Sequence, residues 1–240
     1  MARVTAASQD AIGTREFDLA HVALRELNRY LHQDAVREGI RRVRVLNPDG
    51  AHSVACGLDA DLEVEVDGHV GYYAAGMNQL ARVIVNGNAG PGAAENMMSG
   101  LVRVRGFAST GAGASAHGGC LVIEGDASLR CGISLKGADI VVGGSVGSFS
   151  AFMAQAGRIV ICGDAGDALG DSLYEAIIYV RGEVRSLGAD ARFEPMGVAD
   201  LEAVTALLQT AGFKLPPGEF RRVASAKSLY HWNADANQEY

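Results

Sequence analysis

The chain has 240 residues, of which 48% are hydrophobic and 20% charged, and it carries a net charge of −7. That length admits one or two domains with a full core, and the acidic balance, with no basic block or aromatic-basic interleaving, excludes a nucleic-acid surface. The N-terminus lacks an apolar signal core and no 18-residue apolar run exists, so a cytoplasmic protein without a membrane segment is expected.

In chain order, residues 15–40 come first. Leu19, Val22, Ala23, Leu27, Tyr30 and Leu31 recur at helical spacing, and Asp18 is placed as the N-cap. Residues 41–58 read as a degenerate first coil, with Val43 and Val45 alternating and Asp49 where a repeat anchor would stand. Then seven glycines recur every 19 residues without interruption: Gly68, Gly87, Gly106, Gly125, Gly144, Gly163 and Gly182. A period this strict is one supersecondary unit repeated and stacked.

Four and two residues before each anchor glycine the chain is apolar, from Val64 and Val66 to Ile178 and Val180. Period-2 alternation of β-branched residues marks a strand with one face inward. Two residues after the glycine the side chain is small or β-branched, and a further small column runs from Ala81 and Gly100 to Ala176. Each unit therefore reads as a strand, a glycine corner with φ > 0, a second short strand, a variable turn and a small-residue corner. No unit contains a helical stretch or a leucine-rich pattern, and propeller blades are longer. The predicted fold is all-β: a right-handed parallel β-helix of about seven 19-residue coils, a rod on the order of 35 Å long at about 4.8 Å per layer. Its flanks are helical. The chain divides into residues 1–42 (N-terminal flank), 43–195 (β-helix) and 196–240 (C-terminal helix and aromatic arm).

Past Pro195 the period stops. Residues 199–211 predict an amphipathic helix ended by Gly212. The tail carries Phe220, Arg221, Arg222, Tyr230 and Trp232, and reads as an arm that either docks a partner or folds back over the last coil.

Motifs with chemistry are sparse. GNAGPG at 87–92 and GAGASAHGG at 111–119 lack the lysine of a phosphate loop and the strand–loop–helix setting of a dinucleotide site. Asp67, Asp126, Asp164, Asp167 and Asp171 read as turn-bonded or solvated carboxylates. His52, His69 and His117 each stand alone. Met77, Met97, Met98 and Met153 are read as core filling, with a soft binding face as the other option. Cys56, Cys120, Cys131 and Cys162 form no metal-spaced cluster and read as core thiols. With Ala2 following the initiator, no N-terminal Cys, Ser or Thr nucleophile is available. No catalytic, cofactor-binding or metal-binding residue is predicted in this chain.

The repeat, in forms such as VIEGDAS…CGISLKGADIVVGGSVG, resembles the GXGXG domain. That β-helix forms the C-terminal part of the large subunit of glutamate synthase and also occurs in formylmethanofuran dehydrogenase. The runs FDLAHVALRELNRYLH, VDGHVGYYAAGMN and NGNAGPGAAENMMSG, with EFRRVASAKSLYHW near the end, look like a stand-alone GXGXG subunit of the glutamate-synthase-like family, such as the β subunits of N-methylglutamate synthases. The resemblance implies a non-catalytic scaffold in a hetero-oligomer. Its partners would be a class II glutamine amidotransferase-like subunit and an FMN-dependent synthase subunit, the latter holding FMN and an iron–sulfur cluster. A C subunit of a formylmethanofuran dehydrogenase or formyltransferase/hydrolase complex, and a free-standing carbohydrate-active β-helix enzyme, are the alternatives.

Overall fold

A computed structural model describes residues 13–227. Strand β1 (Gly13–Asp18) is followed by a short helix α1 (Leu24–Arg29) that runs into one π-helical turn, Tyr30–Asp34. Then come β2 (Ile40–Leu46), β3 (Glu63–Asp67), β4 (Arg82–Val85), β5 (Leu101–Val104), β6 (Cys120–Ile123), β7 (Lys136–Val142), β8 (Ala156–Ile161) and β9 (Ile177–Val180). Strand β10 (Ala191–Glu194), helix α2 (Val198–Ala211), a 3-10 turn at Pro217–Glu219 and β11 (Arg221–Ser225) complete the order.

One sheet holds all eleven strands, in the order β1-β2-β3-β4-β5-β6-β7-β8-β9-β11-β10. From β1 to β9 every pairing is parallel, and from β3 the register advances by one period per coil: Val64 pairs with Val83, and so on to Ile159 with Ile178. The molecule is thus a parallel β-solenoid of about seven turns. The two apolar columns seen in the sequence are its inner wall, and no residue of Val64–Ile178 or Val66–Val180 in those columns exceeds 1% exposure. The expected second strand shrinks to isolated parallel bridges, one per coil from Val70–Ala89 to Ala165–Val184, with a second at Leu169–Leu187 in the last. The core is thin, so small and large side chains must compensate. A Cβ on Gly113 would lie 2.6 Å from Ile140 Cδ1, and one on Gly132 2.6 Å from Ile159 Cδ1.

The anchor glycines stack for a reason other than the expected one. Only Gly68 among the seven has a positive φ. The rest are needed because neighbouring coils approach there backbone to backbone. Gly106 N–H donates to Gly87 O at 2.9 Å, Gly125 to Gly106, Gly144 to Gly125, Gly163 to Gly144 and Gly182 to Gly163 in the same way. A Cβ on Gly87 would sit 2.4 Å from Gly68 O. Left-handed backbone instead falls in the turn, five, seven and nine residues after each anchor from Gly68 to Gly163: Tyr73, Ala75 and Met77, then Gly92, Ala94 and Asn96, and so on to Ala168, Gly170 and Ser172. The alternation lets the turn bond to both neighbours. Gly92 and Asn96 donate forward to Thr110 O and Ala114 O, while Ala94 donates back to Ala74 O, each at 2.9 Å. Every buried backbone donor needs such a partner, and stacking supplies it.

The start of the N-terminal flank departs from the helical reading. Residues 13–18 add a parallel strand to the sheet, and α1 starts only at Leu24 with Ala23 as its N-cap. Asp18 accepts instead from Ala20 N–H at 2.9 Å and Asn47 Nδ2 at 2.8 Å. Val45 pairs with Val66, so the first coil holds two extra residues and Asn47, not Asp49, stands at the anchor phase. At the other end α2 matches the predicted helix and ends at Gly212, φ 77°.

Candidate functional site: the outer faces of the solenoid

With the interior committed to stacking, any function must lie on three outer faces. The first is the outside of the sheet. Over β2 and β3 it is polar, giving way to Ile84 on β4: Arg44 Nε reaches Asp67 at 2.6 Å, and Asn86 Nδ2, just past β4, donates to Glu65 Oε1 at 2.7 Å and Asp67 Oδ1 at 2.6 Å. These bonds, from Asn86 first and Arg44 next, hold the Asp67 carboxyl below its usual range. Over β6–β9 the same phase becomes Val122, Val141, Val160 and Tyr179, and α2 covers it with Val204, Leu207, Leu208 and Ala211. Arg103 marks the boundary. It pairs with Glu124 at 2.8 Å and donates to the last carbonyls of α2, Thr210 O and Ala211 O, where a cation suits the helix dipole. At the other end of α2, Asp200 accepts from Gly197 N–H at 2.8 Å, Tyr179 Oη at 2.8 Å and Arg222 Nε at 3.2 Å.

The second face is the corner after each anchor glycine. His69 Nδ1 accepts from Asn88 N–H, and Asn88 Oδ1 from Phe107 N–H. Further up, Asp126, Ser145 and Asp164 each accept from the backbone N–H one coil on. The side chains of this ladder are spent on backbone donors, and among the described residues no group of three His, Cys, Asp or Glu side chains could hold a metal. Asp167 faces Arg185, and Asp171 accepts from Ser172. Phe107 interrupts the ladder and is exposed.

The third face is the turn edge. Of the methionines read as core, Met97 is buried, but Met77, Met98 and Met153 lie at the surface, with Tyr72, Leu80, Leu129, Phe149 and Tyr174. Exposed apolar side chains in left-handed positions carry two costs, one of exposure and one of about 1–2 kcal/mol in backbone strain, so this edge is the candidate functional surface. Neither the strain nor the exposure was legible in the sequence, which read these methionines as core with a soft binding face as the other option.

The arm is used inside the molecule as far as it is described. Phe220 is 3% exposed, packed with α2 on the covered sheet face. Arg221 donates to Gly182 O and lies 4.9 Å from the Phe193 ring; Arg222 bridges Glu194 and Asp200. Strand β11 thereby folds back antiparallel onto β9 as a cap. Tyr230 and Trp232 lie outside the described residues. The seven anchor glycines are structural, as above.

Two open clefts lie at the ends. One of about 670 Å³ is bordered by Ala20, Asn47, Pro48, Asp49 and His69, and one of about 360 Å³ by Arg192, Glu194, Arg222 and Lys227. The charged groups of the second are already paired: Arg192 and Arg222 with Glu194, and Lys227 with Asp190. Burial pushes the Cys131 and Cys120 thiols up to about 12 and Cys162 up to about 11, and raises Cys56 as well. No helix of the described residues is long and apolar enough to cross a membrane.

The fold and its surfaces define a parallel β-solenoid whose backbone is committed to stacking and whose apolar edge is left outward. No family model matches the chain. It is 54% identical over 224 residues to Protein GlxC of Rhizobium meliloti (strain 1021), a match that spans 93% of this chain and 98% of that protein. The chain belongs to the GlxC family.

Proposed function

We propose that this chain is the scaffold subunit of a glutamate-synthase-like complex. The observation that carries the reading is the solenoid itself, with the 19-residue glycine repeat that resembles the GXGXG domain running through all its coils. A member of the GlxC family with this repeat fits a subunit that positions catalytic partners. The finer assignment is N-methylglutamate synthase, which converts methylamine and glutamate to N-methylglutamate and ammonia. In it a class II amidotransferase-like subunit and an FMN-dependent synthase subunit with an iron–sulfur cluster carry the chemistry. The rod fixes the distance between the site that releases an amine and the flavin site that consumes it. Such fixing raises the local concentration of the intermediate over its bulk value.

Co-expression with these two subunits tests the reading. The expected result is a flavin-yellow complex containing all three chains, with methylamine-dependent N-methylglutamate formation that falls at least tenfold when this chain is omitted. Partners that assemble and turn over equally well without it would overturn the scaffold role.

A further inference from the structure

The two ends of the solenoid are finished differently. At the N-terminal end the last rung is β1. Its Phe17 is half-buried, with the Tyr30 ring packed on it at 4.9 Å and the Arg15 guanidinium over both rings at 5.8 and 5.7 Å. At the C-terminal end the inner column runs from Ile178 to Val223 and then to Phe193 on β10. Ile178 and Val223 are fully buried, whereas Phe193 is 44% exposed. An arginine lies against this ring too, Arg221 at 4.9 Å, but no second aromatic ring does among the described residues. The neighbouring columns lose their cover at the same layer. Ala165 and Leu169 are buried, and their bridge partners one layer on, Val184 and Leu187, are half-buried. The end coils of a solenoid need a cap, and this end shows one half of the aromatic pair that closes the other.

We propose that residues 228–240 of this chain complete that cap, laying Tyr230 and Trp232 over Phe193, Leu187 and Val184. Position, spacing and charge choose this occupant. The described residues end at the end layer itself: Ala226 N–H donates to Asp190 O at 2.6 Å, and Lys227 Nζ lies 2.7 Å from Asp190. Phe193 is three residues on from Asp190, about 10 Å at about 3.3 Å per residue. Tyr230 and Trp232 are three and five residues past Lys227, so an extended chain brings both to it. Being two apart, they share one face of such a segment. Residues 181–194 and 219–227, the last coil and β11, carry six Lys and Arg against four Asp and Glu in a chain of net charge −7. Residues 228–240 carry Asp235 and Glu239 and no Lys or Arg, so their charge complements the end layer. A second copy stacked end to end is the poorer occupant, because the edge it would offer, β1, exposes Arg15 and Glu16. The inference goes beyond the scaffold reading and does not rest on it, since it concerns the isolated chain.

Trp232 is the only tryptophan of the chain, so the fluorescence of the isolated full-length protein reads its surroundings directly. The expected result is a blue-shifted emission with acrylamide quenching several-fold weaker than that of free N-acetyltryptophanamide. Emission and quenching equal to those of the free indole would overturn the proposal and leave the segment to a partner protein. Phe193→Ser changes a surface position, so the far-ultraviolet circular dichroism should stay the same while quenching of Trp232 rises at least twofold. Quenching that stays low in this variant would seat Trp232 elsewhere and reject the end layer. A chain ending at Lys227 should exchange the amide hydrogens of β10 and β11 at least tenfold faster, with β3 to β6 unchanged; unaltered exchange in β10 and β11 would sink the cap.

Discussion

The outside of β2–β4 and the outside of β6–β9 belong to one sheet and share one inner wall, yet they meet different surroundings. In the first, Arg44, Glu65, Asp67 and Asn86 form a half-buried polar lattice. In the second, Val122, Val141, Val160 and Tyr179 lie under α2 and are at most 1% exposed. The difference teaches that stacking specifies only the inward columns. The outward column, one residue out of phase, is free to vary, and it decides where the C-terminal segment settles.

Charging the covered half should have the largest effect. Val141→Glu places a carboxylate under α2 and should cost about 3–5 kcal/mol, read as an early loss of α2 protection in hydrogen exchange. Arg103→Ala removes the cation from the end of α2 and should cost about 1.5–3 kcal/mol, measured by denaturant titration; no loss would show that apolar contact alone holds the helix. Tyr179→Phe deletes one hydrogen bond to Asp200 and should cost about 1 kcal/mol. Glu65→Val, the same phase in the open half, should change stability by less than about 1 kcal/mol.

Titration should separate the halves as well. Asp67 has a lowered pKa, so its contribution is present above the ordinary carboxylate value of about 3.9 and is lost as pH falls further. The acid arm of the stability curve should therefore flatten in Asp67→Asn. Burial first, then the bond to Asp200, raises the Tyr179 phenol, so its contribution is present below about pH 10 and lost as pH rises. Melting temperature measured across pH should show an alkaline decline that Tyr179→Phe makes shallower.

Much of this was legible in the residues. Val64 to Ile178 and Val66 to Val180 announce an inner wall because β-branched alternation has few other uses. The covered outer face was also written, in CLVI, DIVV and RIVI, where apolar residues run on without alternating, the mark of strands buried on both sides. The N-terminal strand was masked by helical spacing over 15–40, because β1 is short and its neighbour β2 supplies the pairing. The turn could not be read. Tyr73, Ala75, Arg130 and Ser134 all take left-handed backbone, imposed by hydrogen bonds to coils above and below rather than by residue type. The arm's aromatic character suggested contact, but not whether the surface touched was its own; for Phe220 it is.

The ladder of anchor glycines makes length a quantised property. Adding or removing one residue between Gly87 and Gly182 would break a backbone-to-backbone rung, whereas removing all 19 restores the register. Anything fastened near the two ends can therefore be moved along the axis only in steps of about 4.8 Å. The two extra residues of the first coil fall below the lowest of those rungs, Gly106 N–H to Gly87 O, where a change in count leaves the ladder intact.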